Sequence, residues 1–279
     1  MLQEKADLPA APAPRRGGTP PSGLYRALQV FGELLLTAGV VLLLFVAWQL
    51  WWTNLDADAR QREVVRDFAQ DLAGHQSALP AANTGVAGSA GQVSGSRSPG
   101  SKGSAKPAAV APEPAPGTTI GVVYVPRFGA DYTRPVVQGT TPEVLDSLGL
   151  GHYAGTAMPG AAGNFALAGH RQTHGAVLDN IDALVPGDRI YVQTREGYYI
   201  YRFRNSEIVL PTASDVLLPV PARPAATPTE SYLTMTSCNP RFGSQERIIA
   251  YSLLERWQPA SAGPPAEIAG QVARTLGDG

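Results

Sequence analysis

Tyr232-Leu233-Thr234-Met235-Thr236-Ser237-Cys238-Asn239-Pro240 opens as a β-strand and closes as a loop. Aromatic, apolar and β-branched residues suit a pleated surface, whereas Asn-Pro starts a turn. Cys238 therefore stands at a strand end, where a scaffold can hold a side chain rigidly and still expose it. It is the sole cysteine of 279 residues, so no intramolecular disulfide can form. Its thiol is either a small buried hydrophobe or a reactive group.

Outward from this stretch, further strands are expected over residues 120–125, 164–168, 188–194, 198–203, 207–210 and 247–254. They are rich in β-branched and aromatic residues and separated by turn sequences such as Arg195-Glu196-Gly197. Only 141–148 and 178–184 read as short helices. The first has Thr141 as N-cap, Pro142 at the first helical position and Gly149 ending it. Seven strands within 118–257 predict a mainly β domain, a closed barrel or a sandwich.

Two further residues share the cysteine's placement. His170 follows the apolar run 164–168, and Arg247 opens the strand after the cysteine loop, nine residues beyond Cys238. A thiolate, an imidazole and a guanidinium that converge suit acyl transfer. Sulfur attacks a carbonyl, the imidazole moves protons, and the cation holds the oxygen as it gains charge. A metal centre is the competing use of histidine: His170 and His174 are four apart, with Asp179 or Asp182 as an oxygen ligand. The segment 171–175 reads as loop, however, and no third ligand has a recognisable spacing, so no metal or other cofactor is expected. His75 and His152 have no partner signature.

The motifs then form a pattern: Gly151-His152-Tyr153 with 155–160, Gly163 through Gly169-His170-Arg171, Thr234-Met235-Thr236-Ser237-Cys238, and Arg247. In content and order this resembles the sortase family of membrane-anchored cysteine transpeptidases, most closely the class E sortases of high-GC Gram-positive bacteria. The family's cysteine motif is Thr-Leu-x-Thr-Cys, from which this chain departs at Met235 and Ser237; both replacements keep the side-chain type. The resemblance implies an eight-stranded β-barrel and a two-step reaction. Cys238 would cleave a surface protein's C-terminal sorting signal, of Leu-Ala-x-Thr-Gly or Leu-Pro-x-Thr-Gly type, between Thr and Gly, and a lipid II-like cell-wall precursor amine would resolve the thioester. It also implies His170 as general acid/base and Arg247 as the substrate and oxyanion residue, with Ser237 as a substrate contact and Tyr153 as either a substrate contact or a packing residue. Two other readings stay open: a hydrolytic cysteine peptidase, and a bitopic membrane protein whose barrel only binds a ligand.

The rest of the chain concerns location. Residues 34–52 read LLLTAGVVLLLFVAWQLWW, long enough at 1.5 Å per residue to cross a ~30 Å hydrocarbon core, with Trp48, Trp51 and Trp52 suited to the far interface. A cleavable signal peptide is the alternative, with Ala57 and Ala59 as its small-residue pattern, but its apolar region would be shorter, about 7–15 residues. The expected topology is a cytoplasmic tail (1–33), one membrane-spanning helix (34–52) and an exported remainder. Residues 53–75 form a juxtamembrane segment with amphipathic spacing that prolongs the helix. Residues 76–117, dominated by Gly, Ala, Ser and Pro, cannot offset their chain entropy and read as a disordered tether. The catalytic domain is 118–257, and 258–279 reads as a disordered tail. Twenty-two basic against 23 acidic residues, a net charge of −1, argue against nucleic acid as a partner.

Overall fold

The computed structural model describes residues 23–78 and 107–277, and the chain divides into two compact units, 1–48 and 49–279. Residues 1–22 of the expected tail and 79–106 of the expected tether lie outside the described residues. Helix α1 (Gly23–Ala78) is one element. Within the first unit its apolar side chains face outward; Leu43, for example, is 72% exposed. This is the one helix among the described residues that is long and apolar enough to cross a membrane.

The second unit holds the barrel. Its strands are β1 (Thr119–Tyr124), β2 (Thr133–Gln138), β3 (Leu150–His152), β4 (Gly163–Ala168), β5 (Arg189–Gln193), β6 (Gly197–Val209), β7 (Ser231–Asn239) and β8 (Glu246–Pro259). They close in the order β1-β2-β3-β4-β7-β8-β6-β5, the eight-stranded barrel that the motifs imply. The β2–β3 and β4–β7 pairs are parallel and the others antiparallel. Helix α2 (Pro142–Leu145) is a single turn, shorter than expected, and 178–184 contains only a 3-10 turn at Ile181–Ala183.

Strand alternation sorts the barrel's residues. Val123, Phe165, Leu167, Ile190, Val192, Tyr201, Phe203, Leu233 and Met235 point inward and make the core. The outer positions of β1, β5 and β6 are apolar too: Val122, Tyr124, Tyr191, Tyr198 and Ile200. A strand that is apolar on both faces needs a cover on its outer side. Val65, Phe68 and Leu72 of α1 supply it together with Ile268 and Val272, the latter on α3 (Ala269–Gly277). Each such side chain, once buried, contributes about 1.5–3 kcal/mol.

Two expectations about order are therefore corrected. Of the expected C-terminal tail, residues 258–277 are not free, because 260–262 form a 3-10 turn and α3 packs on the barrel with Ile268 fully buried, while 278–279 lie outside the described residues. The end of the tether is also engaged. Tyr199 donates its hydroxyl to the Ala109 carbonyl (2.6 Å), and the Glu113 carboxylate accepts from Gln138 Nε2 (2.5 Å) and the Gly155 N–H (3.0 Å). These bonds hold the chain where composition alone argues for freedom.

Candidate active site

The cysteine's surroundings follow from register. In the antiparallel β7–β8 pair Cys238 stands directly opposite Arg247, so both side chains leave the sheet on one face. In the parallel β4–β7 pair Ala168 stands opposite Thr236, and His170 lies two residues past Ala168 as Cys238 lies two past Thr236. The three residues singled out in the sequence thus meet at one end of the β4–β7–β8 sheet.

Alternation along β7 then sorts its motif. Leu233 and Met235 enter the core; Thr234, Thr236 and Cys238 occupy the outer face. Tyr153 reaches this face, its hydroxyl 3.0 Å from Thr236 Oγ1. Ser237 does not: it is 3% exposed and donates to the Gly169 carbonyl at 2.8 Å. The expectation of a substrate contact at Ser237 is corrected to a bond that ties β7 to the end of β4. Gly169 has no room for a side chain, since a Cβ there would lie 2.7 Å from Val177 and 2.8 Å from Leu150.

Residues that sequence reading did not single out complete the arrangement. Asp146, just past α2, accepts a hydrogen bond from His170 Nε2 at 2.7 Å. A carboxylate can only accept here, so the Nε2 proton is committed and Nδ1 is the nitrogen left for proton exchange. Arg171, 4% exposed, donates to Asn239 Oδ1 (2.7 Å) and pairs with Asp182 (2.8 Å). Asn239 in turn donates to Glu246 at 2.7 Å. This Asp182–Arg171–Asn239–Glu246 chain spans from the histidine loop to the β7–β8 connection and fixes the three chemical groups relative to one another. Its only sequence signals are Arg171 beside the histidine and Asn239 beside the cysteine.

Arg247 donates from Nη1 to the carbonyls of Ser244 (2.9 Å) and Glu246 (2.8 Å). No carboxylate pairs with it among the described residues. Asp146, His170 and His174 present ligand atoms within 4.8 Å of one another, a grouping different from the Asp179 or Asp182 set considered above. Burial, opposed by the nearby Asp146 charge, holds the His174 imidazole below its ordinary range.

His152, the last residue of β3, is fully buried, its Nδ1 2.7 Å from Gln138 Oε1 and its Nε2 2.9 Å from Thr156 Oγ1. Desolvation holds this imidazole below its usual value, against smaller opposing effects of the Ala157 carbonyl and Glu113. The unfolded chain then binds the proton more readily than the folded one, so stability is fully present above about pH 6.5 and falls as the pH drops below it. The melting temperature should decline between pH 7 and pH 5, and His152→Gln should flatten that slope, leaving a smaller slope from His174. An unchanged slope in His152→Gln would show that another group is responsible.

Comparison with known proteins agrees with this geometry. A sortase domain model matches residues 123–255. Sortase SrtE1 of Streptomyces coelicolor is 34% identical over 252 residues, which are 88% of this chain and 62% of that protein. Sortase SrtE2 of the same organism is 32% identical over 258 residues, 87% of this chain and 88% of its own length. The solved SrtA sortase from Actinomyces oris superposes with a TM-score of 0.55 at 37% identity, covering 59% of this chain and 93% of that one. The likeness extends well beyond the barrel in sequence and takes in the barrel in structure: the chain belongs to the sortase family.

Proposed function

We propose that this chain is a class E-like transpeptidase, anchored by residues 34–52 with its N-terminal tail cytoplasmic and its barrel outside the cell. Cys238 Sγ attacks the threonine carbonyl of a C-terminal sorting signal of Leu-Ala-x-Thr-Gly or Leu-Pro-x-Thr-Gly type. The Thr–Gly C–N bond breaks, a proton from His170 goes to the leaving glycine amine, and the threonine acyl group remains on sulfur as a thioester. The amine of a cell-wall precursor then attacks the thioester carbon, gives its proton to His170 and releases the sulfur, which restores the thiolate. Arg247 holds the carbonyl oxygen through both tetrahedral stages. Asp146 keeps His170 in the tautomer whose Nδ1 faces the exchange.

One observation carries this reading: Cys238 and Arg247 are direct cross-strand partners, with His170 delivered beside them by β4. A binding module has no use for a nucleophile, a proton carrier and an anion holder at one strand end.

The test uses the full chain in detergent micelles with peptides of both signal types, with and without an added amine, and product masses. The expected products are the Gly-leading fragment and, with amine, the threonyl amide. Free acid alone despite excess amine would indicate a cysteine peptidase. Intact peptide that nevertheless binds would indicate a binding module.

A further inference from the structure

We propose that residues 54–61 of α1 form a positioning element of the catalytic centre, in which Asn54 and Gln61 hold the loop that carries His170. The inference rests on the reading of His170 as the proton carrier.

The loop after β4 returns on itself through the Leu178 N–H to His170 carbonyl bond of 2.9 Å. Inside it three successive residues have positive φ: His174 (54°), Gly175 (83°) and Ala176 (46°). Only Gly takes this conformation freely; for the histidine and the alanine it is strained and persists where surrounding contacts over-determine it. The loop has bonds of its own, such as Ala176 N–H to the Thr173 carbonyl (2.9 Å), and Tyr132 donates to the Val177 carbonyl (2.6 Å); α1 adds three more at residues 172, 174 and 175.

The Asn54 amide presents both its ends to the loop backbone. Its Nδ2 donates to the Gln172 carbonyl at 3.2 Å, and its Oδ1 accepts from the Gly175 N–H at 2.9 Å. Two turns along the same helix face, Gln61 donates from Nε2 to the His174 carbonyl at 3.2 Å. Asp58 lies between them and pairs with Arg134 (3.2 Å), which donates to the Gly175 carbonyl (3.3 Å). The fit is close: a Cβ at Gly175 would stand 2.8 Å from Gln61 Nε2 and 3.1 Å from Asp58 Oδ1. On the other flank of the Asp146–His170 pair, Arg60 donates to the Ser147 hydroxyl at 3.4 Å.

The character of this helix face argues for a role beyond attachment. Residues 54, 57, 58, 61, 65, 68 and 72 follow the spacing of one buried stripe. Its second half is apolar and covers the barrel; its first half, against the histidine loop, is polar apart from Ala57, with Gln61 only 1% exposed. Burying an amide is costly unless it is matched, and Gln61 bears part of that cost, since its Nε2 is bonded to the loop while its buried Oε1 has no hydrogen-bond partner; apolar residues would attach the helix without it. What the amide bonds add is direction, since each of the three sets the loop backbone at one distance and angle. Asn54 begins this stripe two residues after Trp52, so the segment that leaves the apolar span is also the segment that sets the histidine loop.

The test compares the full chain with Asn54→Ala, Gln61→Ala, the double variant, Asn54→Asp and Val65→Ala in detergent micelles. Val65→Ala is the control for lost packing on the same helix. The double variant should lose at least tenfold in kcat with KM within about twofold, while its melting temperature falls no further than that of Val65→Ala. Asn54→Asp, which keeps the acceptor for Gly175 and loses the donor to Gln172, should fall between parent and Asn54→Ala. Hydrogen exchange at the Gly175 amide should rise in Asn54→Ala, and the His170 ring resonances should move. Exchange and ring signals need no turnover, so they decide the proposal even if the parent chain proves inactive and the transpeptidase reading fails. Parental kcat with raised exchange, unmoved His170 signals, or a loss of kcat that merely tracks melting temperature as in Val65→Ala overturns it.

Discussion

Cys238→Ala is expected to reduce cleavage to background and abolish the thioester while the melting temperature stays within a few degrees of the parent. The side chain is only partly buried at the end of β7, and the strand there is held by groups the substitution keeps. The Cys238 carbonyl still faces Arg171, and the β7–β8 ladder still pairs residue 238 with Arg247. Loss of one sulfur from such a position costs on the order of 1 kcal/mol, which for a unit of this size is about 2–4 °C. Loss of the nucleophile is of another order. In a serine hydrolase, removing the attacking atom costs about 10⁶-fold in kcat, leaving only what binding and the oxyanion site contribute. Trapping by mass should show acyl-enzyme in the parent and none in the variant. Cleavage near the parental rate in a folded Cys238→Ala chain would end the nucleophile assignment.

The parts of the barrel that were legible in the sequence are those where local chemistry and tertiary role agree. Residues 164–168 and 232–236 have strand composition and are strands. β2 leaves no clear strand pattern because Pro135 interrupts it, yet Pro135 pairs with Val122 at a site where the barrel tolerates the missing donor. β3 has three residues, too few for any period to show. Residues 198–203 and 207–210 read as two strands because polar Arg204, Asn205 and Ser206 separate them. They are one strand, β6, with a register shift between Phe203 and Asn205.

The site divides in the same way. Cys238, His170 and Arg247 were legible because reactive side chains at strand ends leave a mark in sequence. Asp146 was not, because its bond to His170 joins residues 24 apart and depends on how α2 folds back. The helix stripe from Asn54 to Gln61 was hidden for the opposite reason. Its spacing was visible, but its partner is a loop 113 to 121 residues away, and polar residues on a helix face read as solvated until that loop is placed against them.

Arg247→Lys is expected to lose about a hundred- to a thousandfold in kcat/KM, close to the loss in Arg247→Ala, with neither variant changing stability by more than about 1 kcal/mol. The argument begins from what the guanidinium does with its donors. One nitrogen is spent on the Ser244 and Glu246 carbonyls, which locks the plane of the group beside its cross-strand partner Cys238. A planar fork held at one end can present its remaining N–H groups in a fixed direction, toward an oxygen that gains charge as sulfur attacks. A lysine ammonium keeps the charge on a flexible stem, and satisfying the same two carbonyls would leave a single N–H for the oxyanion and no planar fork to aim it. A purely structural arginine would instead neutralise a neighbouring carboxylate. The two nearest in sequence are otherwise engaged: Glu246 accepts from Asn239, and Glu255 pairs with Arg189 at 2.9 Å. Kinetics and melting curves on both variants separate these roles. An active lysine variant defeats the argument from the fork and leaves charge alone, whereas near-parental kcat/KM in both variants removes Arg247 from the reaction.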